Sequence, residues 1–355
     1  MAVIQDLPAE LLYRILELGA WRSVAEIKDI EYEGLNLNKT ALVARKWTDP
    51  SQHLLIRHAT EEEVRNMARS PEAIPSSCAV EKINADLSPT DEAFLELLAK
   101  RKVRVRQLTV WSLREKDRVA GYHPTLFLEG VERLMLERPL YRDSPKLVPS
   151  KDLRLQFLSI RGEYPPPLAF FESLVLAAPR LTRLEIEWSH GATRELPAMY
   201  QASLNTLAPR LRHLCLRNPS SPVYIPPRAF NLSPFSFLSK CTALVRFSII
   251  GLEAQHVIPL LELLPPSAPI VVLSTALNYR PEFAPSHDLH RVLPLLELPA
   301  LSKLKRWRFW YWNDTSYPRE FKTDGPQITK RWTAACEAKG VEPRGPRRFF
   351  TDWPA

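Results

Sequence analysis

Few residues of this chain have the types and spacing that catalysis or metal binding needs. His287-Asp288-Leu289-His290 would place two imidazoles on one helix face, but without a third ligand we expect a surface helix start there. His213 and Cys215 fall on one predicted strand, where we expect their side chains to diverge instead of forming a nucleophile pair. No glycine-rich phosphate loop and no Gly-x-Ser-x-Gly elbow occurs. We therefore predict no catalytic residue, no metal and no cofactor.

The four cysteines are widely separated and lack the spacing of zinc ligands. They are Cys78, Cys215, Cys241 and Cys336. We expect reduced core thiols, as is typical of a cytoplasmic or nuclear protein. No apolar run approaches the roughly 20 residues that cross a membrane, and the first residues show no secretory signal. The predicted location is the cytoplasm, the nucleus or both, with no membrane partner.

Arginines recur at one position of a repeated pattern, apolar-x-x-apolar-x-apolar. The residue before the second apolar position is an arginine or a histidine in most copies. With two further residues of the last copy, the candidate substrate-binding residues are Arg133, Arg183, His213, Arg246, Arg306, Arg308 and Trp310. Because guanidinium groups form paired hydrogen bonds with carboxylate and phosphate, we predict that they bind an acidic or phosphorylated segment of a protein substrate. The alternative is a set of solvated strand residues that favour solubility.

The pattern that carries these arginines is part of a longer repeat. The segment Ala178–Ile186 recurs as Ala208–Leu216, and Val257–Leu263 recurs as Val292–Leu298. Each unit combines a helix, a proline break and a short strand with one buried face, which is typical of leucine-rich repeats. The second apolar positions of the nine copies are Ile83, Leu108, Leu134, Leu158, Leu184, Leu214, Phe247, Leu273 and Trp307. The repeat predicts an α/β solenoid, a curved parallel sheet with outer helices, over residues 79–340. The alternative is an ordinary α/β domain.

Two apolar segments precede the repeats. Residues 7–16 read LPAELLYRIL, and the spacing predicts a helix with Pro8 in its first turn and one stripe of leucines and isoleucine. Residues 42–47 read LVARKW and belong to a second predicted helix, Lys39–Trp47, which Asp49-Pro50 should end. So small a unit cannot cover its own apolar face, which favours a partner over the alternative of a self-contained helical cap.

The order of these two segments resembles an F-box, most closely the divergent F-boxes of basidiomycete fungi. The resemblance covers residues 5–60, within a predicted helical domain at residues 1–60, and it departs from the family in the long insert at residues 17–38. It implies a substrate receptor of an SCF-type ubiquitin ligase, with the F-box on the Skp adaptor, the cullin scaffold in the same complex and the repeats on a protein substrate. The implied adaptor-binding residues are Leu7, Pro8, Leu11, Leu12, Ile15, Leu42, Val43 and Trp47. A connecting helix and linker should occupy residues 61–78, and a tail residues 341–355.

The charge and the aromatic residues leave other functions open. The formal net charge of +8 suggests a nucleic-acid-binding protein as one alternative, but the charge is dispersed along the 355 residues, so nucleic acid is an unlikely partner. A non-catalytic repeat scaffold is the other alternative. In Trp307–Trp312, alternation predicts Trp307, Phe309 and Tyr311 inward and Trp310 and Trp312 outward, either as a binding hot spot or as a cap under the tail at residues 347–353.

Overall fold

A computed structural model describes most of the chain. The described residues are 7–20, 45–57, 59, 61–69, 79–86, 89–111, 130–137, 153–161, 166, 168–187, 199–218, 232–252, 254–278, 290–312 and 319–344. None of the helices in these ranges is long and apolar enough to cross a membrane.

The protein is an α/β structure with a parallel sheet of ten strands, each beside the one before it in sequence. The strands are β1 Ala79–Asp86, β2 Arg104–Trp111, β3 Arg133–Glu137, β4 Phe157–Arg161, β5 Arg183–Glu187, β6 His213–Arg217, β7 Arg246–Leu252, β8 Val272–Asn278, β9 Arg306–Trp312 and β10 Glu342–Arg344. The nine strands predicted from the repeat are confirmed. The tenth lies inside the predicted tail, because its three residues carry no apolar pair that a pattern could detect.

The same backbone arrangement recurs from strand to strand. The residue before a strand donates its N–H to the carbonyl of its counterpart one unit earlier, at 2.8–3.1 Å, as in Thr182 to Gln156 and Arg212 to Thr182. Because the units from β3 to β9 start from this bond, their second apolar positions meet in register, for example Leu184 beside Leu214. Their side chains are buried in one continuous core.

Helices and 3-10 turns connect the strands. The helices are α1 Ala9–Ala20, α2 Arg45–Arg57, α3 Glu61–Ala68, α4 Pro89–Lys100, α5 Leu168–Ala177, α6 Gln201–Leu207, α7 Ala254–Glu262 and α8 Arg319–Ala338. The 3-10 segments are Ala208–Arg210, Ser233–Lys240, Leu293–Glu297 and Pro299–Leu301. Each of these segments has proline at its first or second position. Since proline fixes φ and lacks an N–H, these short turns account for part of the chain's 33 prolines.

The structure agrees with one expectation about the N-terminal segments and corrects another. Pro8 immediately precedes the first residue of α1, and its carbonyl accepts the N–H groups of Leu11 and Leu12 at 3.1 Å, so it takes part in the first helical turn. Pro50 does not end a helix but lies inside α2, whose residues Leu54 and Ile56 are buried. Burial of this face outweighs the hydrogen bond that the proline removes.

The last strand is closed by aromatic packing. Trp307 and Phe309 are buried, as predicted, and both rings contact Trp332 of α8 at centroid distances of 6.3 and 5.8 Å. The Nε1 of Trp307 donates to Oγ1 of Thr275 at 2.9 Å. The cap over β9 therefore includes α8, while the predicted contact with residues 347–353 lies outside the described residues.

Candidate functional site

The predicted basic residues form one row across the sheet. Strand pairing places Arg183 beside His213 and His213 beside Arg246. From β2 to β9 the row, called here the arginine row, contains Gln107, Arg133, Phe157, Arg183, His213, Arg246, Val272 and Arg306. Neighbouring strands lie about 4.8 Å apart, so the side chains of this row are close neighbours. From β2 to β9 the row contains no carboxylate, and on β10 it continues with Glu342, which lies beside Arg306.

Positive charges in the arginine row act on one another. Burial lowers the pKa of the Arg183 guanidinium, and the charges of Arg133 and Arg246 lower it further. Burial also lowers the pKa of His213 to about 4, helped by the charges of Arg183, Arg246 and Arg212. The His213 imidazole is therefore neutral at pH 7, and an anion placed here would relieve the repulsion.

The next row along the strands lies on the face opposite the predicted buried face, where alternation favours exposure, but most of its members are buried. Its buried members, all 7% exposed or less, are Thr109, Ser159, Glu185, Cys215, Ser274 and Arg308. The centres of β4, β5 and β6 are consequently covered on both faces. Arg308 is therefore buried, although it also lines the pocket described below.

The arginines of the third row, Arg161 and Arg217, are paired with Glu137 of the same row and with Glu185 of the buried row. Arg161 contacts Glu137 at 3.4 Å and Glu185 at 3.2 Å, and Arg217 contacts the same Glu185 at 2.6 Å. We call Glu137, Arg161, Glu185 and Arg217 the charge ladder. Burial raises the pKa of the neighbouring Glu187, although Arg217 and Arg161 oppose that rise. Because its charges are paired, the ladder limits the strongly cationic surface to the arginine row.

The arginine row borders a small pocket that is open to solvent. Arg183, His213, Arg246, Arg306 and Arg308 line it together with a single carboxylate, Glu185. Its remaining lining residues are Phe157, Leu184, Leu214, Cys215, Ser248, Val272 and Ser274. Of the four arginines, Arg306 is paired with Glu342 and Arg308 is buried, so Arg183 and Arg246 are the cationic groups that would favour an anion here.

The ends of the predicted site differ from its centre. Arg306 pairs with Glu342 of β10 at 3.1 Å, so its charge is already compensated. Trp310 pairs with Ala276 through the backbone, and its side chain lies outside the described residues. Arg133, Arg183, His213 and Arg246 remain together as predicted.

One expectation about reactive groups is also wrong. His213 and Cys215 are two residues apart on β6, so their side chains share a face and line the same pocket. Burial raises the pKa of Cys215 to about 12, so at neutral pH this thiol is not a nucleophile. His290 lies 3.2 Å from Arg331, whereas His287 is outside the described residues.

The predicted adaptor-binding residues differ in their exposure to solvent. On α1, Leu11 and Ile15 are 51% and 40% exposed, whereas Leu12 is buried, so the predicted stripe is split between two environments. Leu7 is half-buried and Pro8 is exposed. Leu42 and Val43 lie outside the described residues, and so does the side chain of Trp47, although its backbone belongs to α2.

Sequence reasoning missed the two carboxylates that set the limits of the site, Glu185 and Glu342. Glu185 follows a predicted apolar position. The alternating charges at Glu137, Arg161 and Arg217 on neighbouring predicted strands were the signal that could have indicated ion pairs around it. Glu342 had no signal, because β10 was not predicted. No model of a known protein family matches the chain, and no curated protein matches it. The chemistry that the described residues support is non-covalent binding of an anion.

Proposed function

We propose that this protein is a substrate-recognition subunit of an SCF-type ubiquitin ligase, which binds an acidic or phosphorylated segment of a protein substrate on its sheet. The single observation that carries the proposal is the arginine row, whose central members Arg183, His213 and Arg246 line one pocket. In the proposal the N-terminal segment is an F-box that docks on the Skp adaptor of the cullin complex, and the sheet region is a degenerate leucine-rich-repeat solenoid.

The sheet supports the recognition half of the proposal. Strictly sequential parallel strands place equivalent residues of every unit in straight rows, so a partner segment that crosses the strands meets one side chain after another. The charge ladder beside the arginine row is internally paired. An acidic segment that crosses the arginine row would contact Arg183 and Arg246.

Exposed apolar side chains on α1 support the adaptor half. Leu11 and Ile15 are four residues apart, so they lie one helical turn from each other on the same side of α1. Burying each side chain in an interface would contribute about 2 kcal/mol. The remaining implied residues, Leu7 and Pro8, immediately precede this helix.

Affinity capture with the full chain tests the recognition half. We expect the double variant Arg183→Glu/Arg246→Glu to lose protein substrates that the wild type captures, because two attractions become repulsions. The matched control is Arg154→Glu/Arg180→Glu, which changes the net charge equally at exposed positions outside the pocket. Equal losses in both variants would indicate non-specific attraction, and no loss in either would refute a role for the arginine row.

Adaptor binding is tested separately. We expect Leu11→Ala/Ile15→Ala to weaken capture of the purified Skp adaptor by at least about tenfold, since each truncation removes roughly 1–2 kcal/mol of burial. Leu176→Ala is the control, because Leu176 is 76% exposed on α5. Unchanged adaptor binding in both Leu11→Ala/Ile15→Ala and Leu7→Ala/Pro8→Ala would contradict the F-box assignment.

A further inference from the structure

The pocket contains a histidine between two arginines, which a general attraction for acidic segments would not require. His213 lies between two guanidinium groups, with Arg183 on β5 and Arg246 on β7. Its Nδ1 is buried, and no hydrogen-bond partner for it lies within the part of the chain that the structure describes. A buried polar atom that is left without a partner is costly, and the residue that carries this one, His213, lines the pocket.

The charged groups around this imidazole are almost all cationic. The titratable groups that line the pocket with it are Arg183, Glu185, Cys215, Arg246, Arg306 and Arg308. Arg212 adds a positive charge from the neighbouring position on the chain. From β4 and β8 come Phe157, Val272 and Ser274, which do not ionise in this range. Glu185 is held by Arg161 and Arg217, so it does not neutralise the imidazole's surroundings.

We propose that Arg183, His213 and Arg246 bind one phosphoryl group of the substrate segment, and that His213 takes up a proton from solvent as the group binds. This rests on the proposed function, in that the group is carried by a protein partner. A phosphoryl group has three terminal oxygens and a charge of about −1.5 to −2 at pH 7, which suits three nitrogen-bearing side chains on consecutive strands. A carboxylate offers two oxygens and a single charge.

Proton uptake follows from the charges. In the empty pocket the pKa of His213 is about 4, below its ordinary 6.5, because burial and the arginines oppose a third cation. A bound dianion offsets the positive charges of Arg183 and Arg246, so the pKa of His213 rises, and once protonated both of its ring nitrogens are donors. If the bound-state pKa reaches about 6.5, affinity increases about eightfold between about pH 7 and about pH 5.5.

Inorganic sulfate is the first probe, because it stays a dianion across this pH range and its own titration does not contribute. Isothermal titration calorimetry of the full chain should show the roughly eightfold tightening in the wild type and a flat profile in His213→Gln. Arg183→Gln/Arg246→Gln should bind sulfate weakly at both pH values. Equal pH profiles in the wild type and His213→Gln, or sulfate displaced equally well by acetate, would overturn the proposal.

A second pair of probes separates a protein-borne group from free phosphate. A pentapeptide with phosphoserine between alanines should bind at least about tenfold more tightly than inorganic phosphate and than the same peptide with glutamate. Equal affinity for inorganic phosphate would mean that a free anion is the occupant and would overturn the assignment to a substrate segment.

The proposed function and this site can fail independently. If phosphatase-treated substrates are still captured in an arginine-dependent manner, the proposed function stands and the phosphoryl site is refuted. If capture is insensitive to Arg183→Glu/Arg246→Glu while the phosphoserine peptide still binds with the expected pH dependence, the site stands and the proposed function is refuted.

Discussion

Replacing Glu185 by glutamine tests whether the charge ladder stabilises the sheet beside the pocket. The Glu185 side chain is 6% exposed and its Oε1 is shared by Arg161 at 3.2 Å and Arg217 at 2.6 Å. Glutamine keeps the shape of the side chain but removes the negative charge between the two guanidinium groups. Those groups then repel each other across β5.

The size of the effect follows from burial. Removing one member of a fully buried ion pair costs about 3–5 kcal/mol. The partner guanidinium groups here retain solvent contact, since the side chains of Arg161 and Arg217 are 30% and 23% exposed. We therefore expect Glu185→Gln to lower the free energy of unfolding by about 2–3 kcal/mol.

Glu187 supplies a matched control on the same strand and the same face. Burial raises the pKa of Glu187, so its environment already opposes the charged form, and Glu187→Gln should change the free energy of unfolding by less than about 1 kcal/mol. Urea denaturation followed by circular dichroism compares the two variants at pH 7. Equal losses of stability, or a loss below about 1 kcal/mol for Glu185→Gln, would refute the reasoning.

Three further predictions concern strain, acid and thiols. Gly251→Ala should lower the free energy of unfolding by more than about 3 kcal/mol, since φ is +78° and an added Cβ would lie 2.1 Å from the Asn218 carbonyl oxygen. Gly340→Ala is the control and should cost only about 1–2 kcal/mol, because Gly340 also has a positive φ but nothing within 4 Å of an added Cβ. Equal costs in urea denaturation would contradict the clash at Gly251. Burial lowers the pKa of His213 from 6.5 to about 4, so as the pH drops the imidazole of the unfolded chain is protonated before that of the folded chain. The melting temperature should therefore fall between pH 6.5 and about pH 4. A His213→Gln variant whose melting temperature has the same pH dependence would contradict this. Burial raises the pKa of the Cys215, Cys241 and Cys336 thiols to about 12, so peptide mass spectrometry should find them unmodified by iodoacetamide until urea is added. Rapid alkylation of the native protein at these residues would contradict their buried positions.

Much of the sheet could be predicted because each unit repeats a local rule. Strand residues alternate between two faces, so three apolar positions at fixed spacing identify both the strand and its buried side. That rule found β1 to β9 and brought Arg183, His213 and Arg246 into one row. It failed for β10, a three-residue strand that pairs with β9 without an apolar pattern of its own.

The helices show where local rules stop. Pro50 predicted the end of a helix, but burial of Leu54 and Ile56 in α2 outweighs one missing hydrogen bond. The apolar stripe of α1 predicted a single partner-facing surface, yet the fold buries Leu12 and leaves Leu11 exposed. Periodicity identifies an apolar face, but what covers that face depends on residues distant in sequence.

The sequence by itself determined the repeating strand, its buried face and the row of basic residues, because these depend on spacing within one unit. Only the tertiary structure decided which of those charges face a pocket. Pairing between units is what sets Glu342 against Arg306 and places Glu185 between Arg161 and Arg217. It also buries Arg308 and leaves His213 between two arginines. Electrostatics depends on distances between strands, and those distances exist only once the sheet is assembled.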